Sequence, residues 1–596
     1  MKRCGKFLLA GTLAATAVPS FAVPAPPAIE DQRFGVMTHF AQGWDPSWIP
    51  LIARDAVPGV RDELYWQNVE PERGRFIFPG SYERYMAELN RNNLSPLVVL
   101  SFENSHYDQG LTPYTDEGIE AYARYAVEVL RHYGKQIKAV EIWNEYNGTF
   151  CKGPAARNRA GTYLLMLRTA YAAIKRERPD VIVVGGGTSG IPLPYWEELL
   201  AGGGLAYMDV LSVHPYRYDS PPEGLETDIA ALQDLVKKYN GGKPKLVWVT
   251  EIGWGTKPSA AVGDLAIDDD VLARFLVRAY ALLLSADVQR VYWYLFRDYQ
   301  EFNMGLVRDD ARRTPKPAYV AMAAMIRQLH GANFVTREKT PEDLYSLVFA
   351  RPSGEEVRVL WSLKPTTVAA RGATTVTDLQ GKPIGVTSQL YLDDSPIFVS
   401  GPLKGLPAPT AAKETVLADS LRDFSSAQGN EWSYGVFVGG STTFVPLANY
   451  VITDWTKTWS GQYPYISVTA SDQHPSAMGN IPVSAVRRWK SNHAGSVRIA
   501  GHFRCGTQGD GVGVSILVDG QRRFRKLLGG GNENPVVESF DFVEAVRPGT
   551  KIDFAVDPGP AVDINYDATT VYVTISRLLK NSAGIVFQQP ASKEAR

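Results

Sequence analysis

From residue 33 to about 330, short apolar, β-branched runs alternate with longer segments whose apolar residues recur at i, i+3 and i+4. The first pattern predicts buried strands and the second predicts helices laid against them. Eight strand runs stand out: Phe34–Phe40, Gly59–Trp66, Leu97–Phe102, Ala139–Asn144, Val181–Gly185, Val210–His214, Lys245–Thr250 and Val288–Leu295. Between them lie helical patterns such as Gly118–Tyr133, Ala160–Arg176, Leu225–Tyr239 and Val271–Leu284. Strands and helices in alternation build parallel sheets, and eight such units fit a closed (β/α)8 TIM barrel. A doubly wound open sheet is the alternative, but no Gly-x-Gly-x-x-Gly follows the first run.

Past residue 332 the texture changes to short strands broken by Gly and Pro, among them Leu344–Ala350, Val357–Leu363, Thr374–Asp378 and Ile397–Val399. These predict a small β-domain over 333–404, packed on a barrel that occupies 30–332. A Pro/Ala-rich stretch at 405–415 reads as a linker, and 581–596 as a tail. Between them, over 416–580, strands such as Gly495–Gly501, Gly511–Asp519 and Thr550–Val556 alternate polar and apolar positions. They predict a jelly-roll-like β-sandwich. The predicted class is therefore α/β, a barrel followed by a small β-domain and a C-terminal β-sandwich.

The first 22 residues combine basic Lys2, Arg3 and Lys6 with an apolar run from Phe7 to Val18 and the triplet Ser20-Phe21-Ala22. This is the layout of a secretory signal, with cleavage expected after Ala22. The run is shorter than the roughly 20 apolar residues that a bilayer span needs. No later stretch qualifies either, so the expectation is a secreted or periplasmic protein without a membrane span.

Composition narrows the chemistry. Lys and Arg number 62 against 63 Asp and Glu, so the cationic footprint that phosphate backbones require is missing and nucleic acid is not an expected partner. The three cysteines, Cys4 in the leader and Cys151 and Cys505 far apart, make no disulfide framework. Neither Cys-x-x-Cys nor His-Glu-x-x-His occurs. No metal and no cofactor are expected.

The functional signal lies in polar residues that follow strand runs, because a (β/α)8 barrel carries its active site at the carboxyl ends of its strands. Run four ends in Trp143-Asn144-Glu145-Tyr146-Asn147-Gly148, and run seven in Thr250-Glu251-Ile252-Gly253-Trp254. Both carboxylates would face one mouth from opposite sides. Sugar acetal cleavage uses two carboxyl groups, one protonating the leaving oxygen and one attacking or activating water. The competing reading makes each Glu an ion-pair partner on its loop, and the placement of both at strand ends weighs against it.

Several motifs, in order, resemble the retaining glycoside hydrolases of clan A, most closely family 39, which includes xylosidases and hydrolases of bacterial biofilm exopolysaccharide. Val60-Arg61, Trp66, Val69-Glu70-Pro71 and Gly74 resemble the second-strand region. Trp143-Asn144-Glu145 resembles the acid/base motif, His214-Pro215-Tyr216 the sixth-strand motif, and Glu251 before Ile252-Gly253-Trp254 the nucleophile. Tyr292-Trp293-Tyr294 and Lys316-Pro317-Ala318-Tyr319 resemble the eighth strand and the closing helix. The family usually has Pro after the acid/base Glu, where this chain has Tyr146. The resemblance spans residues 33–330 and implies a polysaccharide or oligosaccharide substrate, with Glu145 as general acid then base, Glu251 as nucleophile and Asn144 as donor to the sugar 2-hydroxyl.

Physical reasoning about the flanking residues agrees with those roles. Arg61 would keep Glu251 ionised, since a nearby cation lowers a carboxyl pKa, whereas Glu145 needs the apolar setting that Trp143 and Tyr146 provide. Pairing of Arg61 with Glu141 inside the barrel is an equal alternative, and the two contacts are compatible. The Tyr216 hydroxyl is placed to hydrogen-bond the nucleophile, and His214 to hold a sugar hydroxyl. Of Trp293 and Tyr294 one alone should point inward, with Trp293 favoured as the sugar-stacking ring. His39, Asn104 and Tyr107 follow runs one and three as further sugar contacts, and Glu103 as a binding residue. Two other functions compete: transglycosylation through the same intermediate, and a non-catalytic polysaccharide-binding barrel, against which stand Glu145, Glu251, Asn144 and Arg61.

In the last region, Trp432, Tyr434, Trp455 and Trp459 lie in Gly-rich, polar surroundings. With Arg487-Arg488-Trp489 and Asp553–Tyr566 they resemble β-sandwich modules appended to bacterial polysaccharide enzymes, which implies sugar binding on exposed rings; burial of those rings in a core is the alternative. Asp553, Asp557, Asp563 and Asp567 could offer oxygens to Ca²⁺ but match no loop pattern.

Overall fold

The structure is a computed structural model that describes residues 31–578, apart from 55–56, 218–219, 258–266, 387, 409–413, 430, 453–456, 507–508 and 530–535. The expected leader at 1–22, the middle of the expected linker, Trp455 and the tail lie outside the described residues. Eight parallel strands close into a barrel in chain order: β1 (Phe34–Met37), β2 (Gly59–Tyr65), β3 (Ser95–Ser101), β4 (Ala139–Ile142), β5 (Ile182–Ser189), β6 (Val210–His214), β7 (Leu246–Ile252) and β8 (Val288–Trp293). Closure is made where β1 lies beside β8, with Val36 opposite Trp293. Three of the helices that cover the strands start at side-chain caps. Thr115 accepts from the Gly118 amide at 3.1 Å, Asn158 from Gly161 at 3.1 Å and Asp268 from Val271 at 2.7 Å, each satisfying an amide that a helix start leaves unpaired.

The barrel interior is layered. Leu97, Ala139, Val184, Val210, Trp248 and Tyr292 form an apolar plug, and the Arg290 guanidinium lies 4.1 Å from the Trp248 ring centre. Two residues further along the strands, Glu141, Ser212 and Thr250 follow Ala139, Val210 and Trp248, and Arg61 joins them from β2. All four are fully buried.

Two strands run past their expected ends. β7 continues beyond Thr250 to Ile252, with its register against β8 shifted between Val249 and Ile252. Such a bulge inserts a residue and re-aims side chains, and here both Thr250 and Glu251 reach interior partners. β5 continues through Gly185-Gly186-Gly187 to Ser189, with a shift between Gly185 and Thr188. Glycine is required there: at Gly186, where φ is +114°, a Cβ would lie 2.6 Å from the Ser212 carbonyl oxygen and 2.5 Å from the Trp196 ring.

After the helix Pro317–Leu329, an antiparallel six-stranded sheet runs in the order Pro383–Ile384, Thr375–Thr377, Ile397–Ser400, Glu356–Ser362, Leu344–Ala350, Asn333–Arg337. It packs on the barrel helix Asp269–Ser285, which is buried along most of its length between the two. The contact is fixed by a buried ion pair. Arg278 donates to both oxygens of Glu223 at 2.8 and 2.5 Å and to the Asp394 carbonyl at 3.2 Å, while the Trp361 indole donates to Glu223 at 3.0 Å.

The C-terminal region consists of two further antiparallel sheets whose side chains share one core. This places the expected sugar-binding rings inside. Trp432, Tyr434 and Trp459 are 3%, 1% and 5% exposed, and Tyr434 stacks on Trp459 at 6.1 Å. Alternation along Trp432–Val438 turns Trp432, Tyr434 and Val436 to one buried face, so these three are core residues rather than a sugar platform. Arg487, also fully buried, donates to the carbonyls of Ser420, Ala470 and Thr469 and is a structural staple.

Removing Glu223 leaves the buried Arg278 cation with only the longer contacts to Asp394, at 3.2 Å to its carbonyl and 3.5 Å to its carboxylate, and strands the Trp361 N–H. Glu223→Ala should cost about 3–5 kcal/mol of stability in urea unfolding, and a loss under about 1 kcal/mol would mean that the ion pair does not hold the sheet to the barrel.

Candidate active site

Arg61, on β2, lies in the middle of the charged layer and spends its guanidinium on three residues, two from β4 and the loop after it and one from β7. Its Nε donates to Glu141 at 2.7 Å, one terminal nitrogen to Glu251 at 2.5 Å, and the other to the Asn144 amide oxygen at 2.8 Å. The two pairings weighed from the sequence therefore coexist. Glu251 is 7% exposed, and its second oxygen accepts from the Tyr216 hydroxyl at 2.7 Å. Burial by itself would raise the Glu251 carboxyl, but the His214 and Arg61 charges and the Tyr216 and Arg61 hydrogen bonds hold it below the ordinary carboxylate value.

Glu145 reaches the same space from the loop after β4. Trp143 and Glu145 both have left-handed backbone, with φ +66° and +44°, a conformation that costs of order 1–3 kcal/mol and needs outside support. The support is visible: the Glu145 amide donates to the Gly187 carbonyl at 2.7 Å, and the Trp143 indole donates to the Phe150 carbonyl at 3.1 Å. Trp143 and Tyr146 are wholly buried, but the group that faces the Glu145 carboxyl is His214, whose Nδ1 lies 2.9 Å from it and 3.8 Å from Glu251. The expected apolar setting is thus replaced by an imidazole.

The state of that imidazole follows from its other neighbours. Ser212 and Thr250 both donate to one oxygen of Glu141, at 2.6 and 2.9 Å. With its proton spent, the Thr250 hydroxyl accepts from Nε2 of His214 at 3.0 Å, which assigns a proton to Nε2. The 2.9 Å contact between Nδ1 and Glu145 then holds exactly one proton, on the carboxyl or on the ring. Burial lowers the His214 pKa, but the carboxylates of Glu251 and Glu145 outweigh it and raise it above the ordinary value.

On the β1 side, His39 is 4% exposed, with Nε2 3.2 Å from the Tyr294 hydroxyl and Nδ1 3.5 Å from Glu63. Burial lowers its pKa and Glu63, Asp62 and Glu251 raise it, with a net rise. Asp62 holds the turn that presents His39, accepting from the Phe40 amide at 2.7 Å and the Thr38 hydroxyl at 2.8 Å. Burial and the neighbouring Glu63 push the Asp62 carboxyl up to about 8.

The site therefore gathers Glu145, Glu251, Asn144, Arg61, His214, Tyr216 and His39. Trp293 is a correction: it is fully buried, packs against Trp254 and donates its indole N–H to the Met304 carbonyl at 2.9 Å. Tyr294 reaches the mouth instead, because Arg290 and Tyr292 face the interior and alternation carries that parity to position 294. Asn104 and Tyr107 are not at the site either. Both bind Glu70, Asn104 at its carbonyl (2.9 Å) and Tyr107 at its carboxylate (2.7 Å), and so pin the loop after β2. Glu103 pairs with Lys152. Sequence reasoning ranked Tyr294 second to Trp293 and missed Glu63, Ser212 and Thr250. Alternation from Arg290 could have found Tyr294 and alternation from Arg61 could have found Glu63.

One oxygen each of Glu145 and Glu251 and a ring nitrogen of His214 lie within 4.8 Å of one another. Such donors can take a divalent cation, but both Glu251 oxygens already carry Arg61 and Tyr216, and a metal would have to displace a cation.

The fold is found among known glycosidases. A solved family 39 glycoside hydrolase from the gut symbiont Bacteroides cellulosilyticus WH2 is 24% identical with a TM-score of 0.54, over 63% of this chain and 83% of that one. The likeness is one of fold. A family 39 β-xylosidase from Caulobacter crescentus (15% identity, TM-score 0.43, 63% and 97% of the two chains) and a family 39 enzyme from Xanthomonas axonopodis pv. citri (12%, 0.44, 90% and 96%) are more distant. No protein-family model matches the chain, and no curated protein matches its sequence.

Thr250→Val removes the acceptor that fixes His214. Nitrogen NMR should show Nε2 protonated in the wild type and the Nδ1–H tautomer appearing in the variant, with a stability loss of about 1–3 kcal/mol. Identical imidazole spectra would break the Glu141–Thr250–His214 chain.

Proposed function

We propose that the protein is a retaining β-glycoside hydrolase acting on a polysaccharide or oligosaccharide by double displacement, exported by its N-terminal 22 residues. The observation that carries this reading is the spacing of the two carboxyls, whose nearest oxygens lie within 4.8 Å. Retaining enzymes hold theirs roughly 5–5.5 Å apart, whereas inverting enzymes leave roughly 6.5–9.5 Å for a water.

In the first step a Glu251 oxygen attacks the anomeric carbon while the proton shared by Glu145 and His214 passes to the glycosidic oxygen, and the aglycone leaves as an alcohol. In the second, Glu145 takes a proton from water, whose oxygen attacks the anomeric carbon and releases the ester to Glu251. Arg61 keeps the nucleophile anionic. It also occupies the Asn144 amide oxygen, so the amide N–H₂ is turned toward the substrate as the donor to a sugar 2-hydroxyl. Tyr294 and His39 supply the wall against which a pyranose ring would lie.

A 2-deoxy-2-fluoro glycoside with a good leaving group should accumulate as an ester on Glu251, read by peptide mass. Glu251→Ala should lose activity, and azide should restore turnover with the opposite anomeric product. Label on another residue, or inversion of the first-formed sugar in wild type, sinks the mechanism. Glu145→Gln should lose about 10²–10⁴-fold on substrates with poor leaving groups and far less on activated aryl glycosides; equal losses on both would remove Glu145 from the acid role. Because Glu251 is held below its ordinary value of 4.5, the acid limb of kcat/KM should lie below pH 4.5. Tyr216→Phe should move that limb upward.

A further inference from the structure

Among the C-terminal sheets, one carboxylate has no explanation in the contacts around it. Asp567 is 1% exposed, and neither of its oxygens has a hydrogen-bond partner. The other acids singled out in the sequence divide around it. Asp553 is paired with Arg488 at 2.5 and 2.9 Å, and Asp557 with Arg525 at 2.6 Å. The Thr569 hydroxyl donates to the Asp567 backbone carbonyl rather than to the carboxylate. Asp510 and Asp563 are exposed and carry no ion pair among the described residues.

An ionised carboxylate buried without a partner costs several kcal/mol. Here the neighbours worsen the cost: burial first, then Asp510, Asp563 and Asp557, push the Asp567 carboxyl up to about 7. The surroundings nevertheless contain oxygens. At Gly509, where φ is +88°, a Cβ would stand 2.8 Å from the Asn565 carbonyl oxygen and 3.7 Å from Oδ1 of Asp567. A side chain there would fill the space that these two oxygens share.

The place in the fold gives the cluster a purpose. The loop after Gly495–Cys505 leads to Val512–Val518 in the other sheet, and the loop after Lys551–Asp557 leads back to Thr569–Leu578. Asp510 is on the first crossover, and Asp563, Asn565 and Asp567 are on the second.

We propose that Asp567, with Asp510 and Asp563 at its rim and the Asn565 carbonyl beside it, binds a Ca²⁺ ion that ties the two crossover loops together. Carboxylates and a carbonyl are hard oxygen donors of the kind Ca²⁺ takes in irregular, loop-built sites, whereas Mg²⁺ demands near-octahedral geometry. Cys505, the nearby soft ligand, is buried, and burial followed by the Asp567 charge pushes its thiol up, away from the thiolate a soft metal needs.

The test uses the full-length protein after EDTA treatment. Ca²⁺ should bind in calorimetry with a Kd of about 10⁻⁵–10⁻³ M and raise the melting temperature as its concentration passes the Kd, with Mg²⁺ much weaker. Asp567→Asn should abolish both responses. Asp510→Asn, an exposed change that the fold should tolerate, should weaken Ca²⁺ binding about tenfold. No heat and no shift at millimolar Ca²⁺ would overturn the proposal, as would an Asp567→Asn protein that still responds. A wild type indifferent to Ca²⁺ together with a stabilised Asp567→Asn variant would identify Asp567 as a buried neutral acid instead. These readouts do not depend on glycosidase activity.

Discussion

A guanidinium ion buried in the middle of the barrel has to be neutralised where it stands, and the mouth is arranged around that requirement. Arg61 is fully buried, and its partners come from β4, the loop behind it and β7. Arg supplies this better than Lys could, because its planar donors reach several acceptors at once in fixed directions. One cation thereby sets the distance between strand ends that carry the two candidate catalytic carboxyls. It also divides their chemistry. Glu251 lies against Arg61 and is kept anionic, whereas Glu145 lies beyond its reach and shares a proton with His214.

Glu141 makes the arrangement possible although it touches no substrate space. One of its oxygens takes Arg61, and the other takes Ser212 and Thr250. Thr250 in turn fixes the tautomer of His214, so the proton at Glu145 is determined three residues away from it. The backbone cooperates at two irregularities. The bulge ending β7 lets consecutive residues both serve the interior, and the glycines of β5 bring a carbonyl close enough to hold the left-handed Glu145.

The regular parts of this design were legible in the sequence and the irregular parts were not. All eight barrel strands lie where the apolar runs predict them, because a strand buried on both faces leaves a continuous apolar trace. The β7 end was misplaced since a bulge leaves no trace in hydrophobic pattern, and β5 was cut short because glycine reads as a breaker whether it ends a strand or bends one. Alternation admits only one of Trp293 and Tyr294, and the parity of Arg290 and Tyr292 already pointed to Tyr294 rather than to the expected Trp293. Asn104 and Tyr107 show the limit of position alone: both follow β3, yet both are spent on Glu70. The C-terminal rings failed for a related reason. Gly-rich flanks imply exposure only if the chain between them is not a strand, and Trp432–Val438 is one.

Some buried carboxylates of this chain are neutralised by a cation and others, such as Asp62 and Glu70, are held by hydrogen bonds alone. Glu251 has Arg61, Glu223 has Arg278 and Asp553 has Arg488, each cation supplied by the chain itself. For Glu251 and Glu223 the pair is worth its desolvation because further hydrogen bonds meet the remaining groups. Asp567 is as deeply buried as these, but the acids around it increase its charge burden instead of relieving it. Arg525 is committed to Asp557 and Arg488 to Asp553. What sets Asp567 apart is that it has neither a cation nor a hydrogen bond, and on the proposed reading the oxygen-lined space at the two crossover loops is where an ion from solution supplies the missing charge.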